Sequence, residues 1–461
     1  MKLKKNDVLT VKIEDITNLG FGVARHGGEV IFVSDTVPGD TAQIKIIKTA
    51  SSFSVARCER LIEKSKERTC DRCNVAACKS CAYKLLPYAR ELALKEEDVR
   101  QIFRKSGLAH VHVAPIVGSV SATHYRNKAQ YPVSMTKSGE YVIGFYAPKS
   151  HRVTEAAECP LAPEVFSDII EIIRAHLKAY TITAYDEESG TGLVRHIYLR
   201  RGEVSGEILV TLVINGDALP HSDSLVRGIR EKIGGIVGIL LNKNKKNTNV
   251  ILSDEYEVLF GRDYIFDTLA GVVLKISAAS FYQVNHDCAE LLYAKARELA
   301  RPEPTDTLLD LYCGAGSIGL SMARDAGEVI GIEIVESAVE CARFNAQNNG
   351  INNASFYVGD AKDSERLLDR AERERGGKIR ADIVVLDPPR AGCDATLVHY
   401  VASLSPKRIV YISCNPVTLA RDMVLFSELG YHGGDVTPVD MFPGTGHVES
   451  VVCLTRQSDV I

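Results

Sequence analysis

The chain has no tryptophan, and only 7% of its residues are aromatic. Stacking on a flat ligand would therefore fall to Tyr, Phe, His or Arg. No apolar run approaches the roughly 18 residues that a membrane helix needs. The opening stretch, MKLKKNDVLTVKIEDI, alternates apolar and polar residues and lacks the apolar core of a signal peptide. No membrane partner is expected, and the cytoplasm is the default location. Charge of one sign is also missing, the formal net charge being -4. That balance does not advertise a nucleic-acid binder, yet a basic face can coexist with acidic surface elsewhere. No internal repeat or low-complexity segment interrupts the 461 residues, a length suited to about three domains. What the chain does hold is cysteine, twelve in all. In a cytoplasmic protein this argues against a disulfide framework and for metal or catalytic use.

Residues 1–62 read as short strands punctuated by Gly and Pro, the pattern of a small OB-like β-barrel. Lys45, Lys48, Arg57 and Arg60 give it a basic edge, either a solvated face or an RNA contact. Residues 63–275 form a central region. It contains a cysteine cluster, a charged amphipathic helix (YARELALKEEDVRQIFRKSG, ending at Gly107) and strand-rich text from about residue 110. From 276 to 461, apolar strands (TLLDLY, EVIGIE, DIVVLD, RIVYIS) alternate with helical stretches, which signals a doubly wound domain. The expected fold class is α/β, with a Rossmann-like C-terminal domain, an N-terminal barrel and a central α+β domain. The helical stretch 88–107 is free to pack on the last domain.

TLLDLYCGAGSIGLSMA places G-x-G-x-x-G at Gly314, Gly316 and Gly319, directly after a strand and before a helix. Glu333 closes the next strand, where an acid can bind ribose hydroxyls. A dinucleotide and S-adenosylmethionine both suit this pattern. Two strand ends further along the chain favour the methyl donor. FYVGD ends at Asp360, within reach of an adenine amine, and DIVVLDPPRAG sets Asp387 before two prolines. A rigid Asp-Pro-Pro turn suits a flipped base held beside a methyl donor, and a dehydrogenase has no need of it. In YISCNPVTLARD, Cys414 follows a buried strand and precedes Asn-Pro, so it stands at the carboxyl end of a strand. The bland reading is a small core cysteine.

Together DLYCGAGSIGL, DPPRAG, SCNP and GTGHVESV resemble the RNA uracil-C5 methyltransferase family. Within it the chain is most similar to the 23S rRNA (uracil-5-)-methyltransferases. HYRNKAQYPV, GFYAPKSHRV, NKNKKNTNVIL and FYQVN add to the match, and the opening barrel resembles the RNA-binding TRAM domain. The resemblance implies that Cys414 is the nucleophile and Glu449 the base that removes the C5 proton. It also implies that Gln283, Tyr312, Glu333 and Asp387 hold S-adenosylmethionine, with Ser317 and Asp360 as weaker candidates beside Gly314 and Gly316. Cys313, Cys341 and Cys393 are expected to pack as small apolar residues.

TCDRCNVAACKSCAY gives C-x2-C-x4-C-x2-C at Cys70, Cys73, Cys78 and Cys81, a strong metal signal. A compact zinc site is one reading, although the central gap is far shorter than the roughly 15–20 residues of a zinc ribbon. The family binds a 4Fe-4S cluster through C-x5-C-x2-C and a distant cysteine. The resemblance therefore implies Cys78, Cys81 and Cys159, with Cys73 as first ligand and Cys70 as its alternative. The expected partner is ribosomal RNA, with a monomeric enzyme. A tRNA uracil methyltransferase with the same chemistry, an RNA cytosine-C5 methyltransferase and a non-enzymatic iron–sulfur RNA-binding module stand as other readings. Retention of Cys414, Glu449 and the glycine loop together argues against the last.

Overall fold

The computed structural model describes residues 3–69, 73, 78–148 and 150–456. Its first sheet has six strands, Val8–Lys12, Asp15–Ile16, Gly22–His26, Glu29–Ser34, Thr41–Thr49 and Phe53–Glu63. Alternation decides which face is buried: Ala42, Ile44 and Ile46 point inward with Ile31 and Val33, while Lys45 points out. The last of these strands pairs with both its predecessor and Glu29–Ser34.

A seven-stranded mixed sheet comes next in the chain, its strands running from Lys128–Met135 to Tyr256–Gly261. Two helices, Glu164–Ala179 and Ser222–Lys232, contribute to its hydrophobic core. The strand-rich reading of this stretch passed over both. Phe166, Ile169, Ile170, Ile173 and Leu177 recur at the helical period and are fully buried.

The C-terminal sheet has eight strands. Seven carry labels: β1 (Thr307–Leu311), β2 (Glu328–Glu333), β3 (Ala354–Val358), β4 (Ile383–Leu386), β5 (Arg408–Ser413), β6 (Tyr431–Gly433) and β7 (Glu449–Arg456). Their order is β3-β2-β1-β4-β5-β7-β6, and the short strand Thr437–Val439 also pairs with β7. Strands β1 to β5 are parallel, and β7 runs antiparallel beside β5. The order reverses at β1, which has β2 on one side and β4 on the other. That reversal opens a crevice beyond the strand ends, where open α/β sheets bind ligands.

Two outlying segments complete the core of this domain. The helix Tyr88–Lys105 sets Val99 and Phe103 among Leu309, Leu311, Val384 and Leu386. On the other face, the hairpin Tyr264–Leu269/Val272–Ser277 adds Ile265, Leu274 and Ile276. Among the described residues no helix is long and apolar enough to cross a membrane.

Candidate active site

The strand order lays the chemistry-bearing residues along one edge of the sheet. Asp360 follows β3, Glu333 ends β2, Tyr312 to Gly316 follow β1, Asp387 follows β4, and Cys414 follows β5. Glu449 is the first residue of the antiparallel β7 and so lies at the same edge.

The loop after β1 is shaped by backbone that most residues avoid. Tyr312, Gly314 and Gly316 have φ of 71°, 54° and 80°. For the tyrosine this is a strained conformation, and such strain persists only where the surroundings enforce it. Here the N–H groups of Tyr312 and Cys313 both donate to the Ile332 carbonyl at 3.0 and 3.1 Å. The Gly314 N–H donates to Glu333 Oε2 at 3.1 Å. A Cβ on Gly314 would meet nothing within 4 Å, whereas one on Gly316 would press on Phe356 and Ala342. The loop thus has open space before one glycine and tight packing behind the other.

Asp310 accepts from the Gly319 N–H at 2.9 Å through Oδ2, while its buried Oδ1 has no partner. Burial pushes its carboxyl up to about 7. Gln283 is buried near the Tyr293 hydroxyl, which bonds Ser317 Oγ at 2.9 Å. Asp360 instead caps its own turn, accepting from the Lys362 N–H and pairing with its ammonium, each at 3.1 Å. A buried acid with one oxygen unpaired among the described residues, a second acid at the ribose position and clear space before Gly314 fit an adenosyl cation. Gln283, Tyr312, Gly314, Gly316, Ser317, Glu333, Asp360 and Asp387 are the candidates to hold it.

Cys414, Glu449, Asp387 and Arg390 form one electrostatic group. Burial pushes the Cys414 thiol up to about 11, helped by the charges of Glu449 and Asp387 and opposed by Arg390. Burial also pushes Glu449 up to about 8, with Asp387 adding and Arg390 opposing. Asp387 is raised to about 7 by burial. Arg390 donates to His447 Nδ1 at 2.9 Å. The Asn415 side chain joins the two turns: its Oδ1 accepts from the Val417 N–H, and its amide donates to the Arg390 carbonyl, both at 3.1 Å. Cys313 and Cys393 are buried as small core residues, and Cys341 is half-buried. Arg390, His447, Asp310 and Tyr293 were not singled out in the sequence. The first three lie inside recognisable motifs; Tyr293 carries no local signal.

The segment leading into Glu449 is held from several sides. Lys95, buried, donates to Glu91 Oε1 at 2.8 Å, Asp440 Oδ1 at 2.7 Å and the Phe442 carbonyl at 3.2 Å. Glu91 Oε1 accepts from the Gly444 N–H at 2.6 Å. Asn285 donates to the Met441 carbonyl and Tyr125 to that of Pro443, at 3.1 and 3.0 Å. A Cβ on Gly446 would sit 1.8 Å from the carbonyl oxygen of Asn18, so the first sheet touches this segment too.

Cys73, Cys78, Cys81 and Cys159 are gathered in one neighbourhood, close enough for their charges to act on one another. Burial drives Cys81 up to about 12, and the charges of Cys159, Cys78 and Cys73 add to this. Cys70 lies outside the described residues. Among the described residues no group of three His, Cys, Asp or Glu side chains is arranged to hold a single metal ion. Four thiols without a disulfide nonetheless suit an iron–sulfur cluster in donor chemistry.

The tRNA (uracil-5-)-methyltransferase family matches residues 87–457, and the TRAM domain matches residues 2–57. An uncharacterized RNA methyltransferase of Halalkalibacterium halodurans is 39% identical over 454 residues, 98% of each chain. One from Bacillus cereus is 40% identical over 456 residues, again 98% of each. Among solved structures, Pyrococcus abyssi tRNA (uracil-54, C5)-methyltransferase, crystallised with S-adenosyl-L-homocysteine, superposes with a TM-score of 0.77 at 26% identity. It covers 97% of this chain and 100% of its own.

Proposed function

The chain belongs to the tRNA (uracil-5-)-methyltransferase family and is an S-adenosylmethionine-dependent RNA methyltransferase, and from that premise we propose that it methylates C5 of a uridine in 23S rRNA through a covalent Cys414 adduct. The observation that carries this reading is the placement of Cys414 and Glu449 at adjoining ends of β5 and β7.

C5 of uracil is a poor nucleophile. Addition of the Cys414 thiolate to C6 forms an S–C6 bond and pushes the ring electrons into an enolate, which makes C5 nucleophilic. S-adenosylmethionine supplies the methyl group when bound. Glu449 then takes the proton from C5, the C5–C6 double bond re-forms, and the thiolate leaves as the S–C6 bond breaks. Arg390 is the cation that favours the charged forms of both Cys414 and Glu449. A paired base cannot present C5 and C6 to sulfur and methyl donor together, so the uridine enters unpaired or flipped.

The four cysteines Cys73, Cys78, Cys81 and Cys159 would hold a 4Fe-4S cluster, with Cys70 as alternative to Cys73. Such a cluster would brace the RNA-binding side of the protein rather than take part in the reaction. The three-part division at about residues 62 and 275 belongs to the same proposal. A tRNA substrate is the second reading, favoured by the Pyrococcus abyssi structure. Purified protein with tritiated-methyl cofactor and unmodified ribosomal RNA or tRNA decides between them. Labelled 5-methyluridine in rRNA supports the first reading and label in tRNA alone the second. Turnover by Cys414→Ala would remove the covalent step.

A further inference from the structure

Arg200 is fully buried, and among the described residues no carboxylate is paired with it. Its Nη2 donates to the Tyr198 hydroxyl at 3.0 Å and to the Ala278 and Ser280 carbonyls at 3.3 and 2.7 Å. Its Nε and Nη1 have no partner. Directly across the antiparallel ladder from Arg200 stands Lys128. Like charges opposite one another on neighbouring strands are destabilising. Burial lowers the Lys128 ammonium to about 8, and the positive charges of Arg200 and Arg126 add to this. Arg126 Nε and the nearby Tyr256 hydroxyl are also buried with no partner among the described residues, while the rest of the Arg126 guanidinium reaches the Tyr125 hydroxyl.

The ring of Tyr198 lies 5.8 Å from Lys128 Nζ and 6.0 Å from Arg200 Cζ. Such contacts are weak beside the cost of burying unpaired charge. Unused donors on several neighbouring cationic and hydroxyl groups describe a place for an anion. The unused N–H groups on Nε and Nη1 suit an oxyanion, phosphate included.

The position is informative. Arg200 grips the carbonyl of Ser280, three residues before Gln283. Asn127, between Arg126 and Lys128, donates to the Gln283 carbonyl at 2.8 Å. The cations are therefore tied to the segment that lines the candidate cofactor crevice. Lys128 is only half-buried and is the member of the cluster nearest to solvent, with Arg200 fully buried behind it.

We propose that Arg200, Lys128 and Arg126 form a phosphate seat that takes a backbone phosphodiester of the RNA substrate. This rests on the RNA reading given above. A carboxylate, such as that of the cosubstrate's amino-acid end, has the same anionic chemistry, and the test separates the two.

The test uses the full-length protein with Lys128→Gln, Arg200→Met and Arg200→Lys. Three quantities are measured: RNA affinity by filter binding across a salt series, S-adenosylhomocysteine affinity by calorimetry, and methyl transfer. Lys128→Gln should weaken RNA binding by about 10-fold and lower the slope of log affinity against log salt by about one. Cosubstrate affinity should stay as in the wild type, and Arg200→Lys should bind RNA better than Arg200→Met. An unchanged salt slope and affinity in Lys128→Gln, a surface-reachable position, would overturn the seat even if Arg200→Met fails to fold. A fall in S-adenosylhomocysteine affinity with RNA binding intact would assign the anion to the cosubstrate instead. If Lys128→Gln lowers the slope as expected but the wild type leaves uridine unmethylated, the seat stands and the reaction falls.

Discussion

Cys414 and Glu449 stand one residue beyond the Ser413–Ser450 pair that ends the antiparallel ladder between β5 and β7. A parallel strand delivers the sulfur and an antiparallel one the carboxyl, so two segments of opposite direction meet at one edge. Their charges oppose each other: ionised Glu449 raises the Cys414 thiol, and Asp387 raises both. Arg390 counters all of this from the Asp-Pro-Pro turn, and its neighbour His447 accepts its hydrogen bond.

Glu449→Gln should keep the attack on C6 and lose the elimination. Turnover is expected to fall by about 10²–10⁴-fold, the usual worth of a positioned base. A covalent protein–RNA species should accumulate on denaturing gels with the cofactor present. Cys414→Ala should show neither turnover nor that band.

The pH response comes from the raised Glu449. As a base it must be ionised, so single-turnover rates of methylated-product release should climb as pH passes through about 8. Stability runs the other way. Between the ordinary glutamate range and about 8, the folded chain holds a proton that the unfolded chain has lost, so stability falls as pH rises. Glu449→Gln removes this penalty. Its melting temperature should exceed that of the wild type at pH ~8.5, equivalent to roughly 1–4 kcal/mol, with the gap closing near pH ~5.

Lys95→Met would leave Glu91 and Asp440 buried without their shared cation. Breaking a buried ion pair from one side costs about 3–5 kcal/mol, measurable as a shift in the urea midpoint. Replacing Arg104, whose pair with Glu97 is exposed, should cost less than about 1 kcal/mol.

Cys159→Ser tests the distant thiol. Protein purified without oxygen should show visible sulfur-to-iron absorbance and bound iron, and the variant should lose both. Bound zinc with no visible colour would favour the single-metal reading. Cys70→Ser and Cys73→Ser, compared in the same way, identify the first ligand.

The strand ends were legible because each carries a local signature. Apolar runs of four to six residues stop at Gly, Asp-Pro or Asn-Pro, and the side chain at the stop must face the crevice. Asp387 and Cys414 were singled out in this way, whereas Glu333 was read as the acid closing the strand after the glycine loop. Glu449 has no such punctuation, and only its resemblance to a known motif marked it. The two helices on the central sheet were masked by neighbouring alternating strands, although Phe166 to Leu177 hold the helical spacing. Contacts such as Lys95 with Asp440, or Lys128 with Arg200, were beyond reach. They join residues far apart in the chain, and a lysine on an amphipathic helix looks the same whether solvent or a carboxylate receives it. Arg200 was hidden for a related reason: its burial depends on a hairpin more than sixty residues downstream.

The segment Asp440–Gly446 has a consequence for how this protein can be taken apart. Its groups are claimed by Glu91 and Lys95, by Tyr125, by Asn285, and at Gly446 by the backbone of Asn18. Tyr83, a few residues past the cysteines, donates its N–H to the Gly444 carbonyl. A chain cut ahead of Tyr88 would still contain every residue of the C-terminal sheet, yet the stretch feeding Glu449 would lose its contacts with Asn18 and Tyr83. The C-terminal half is thus not a self-sufficient cartridge that could be exchanged between proteins. Recombination that swaps the front of this molecule would have to carry Asn18, Gly20 and the Ala82–Tyr83 corner along with it, or it would hand the catalytic edge a loosened hinge.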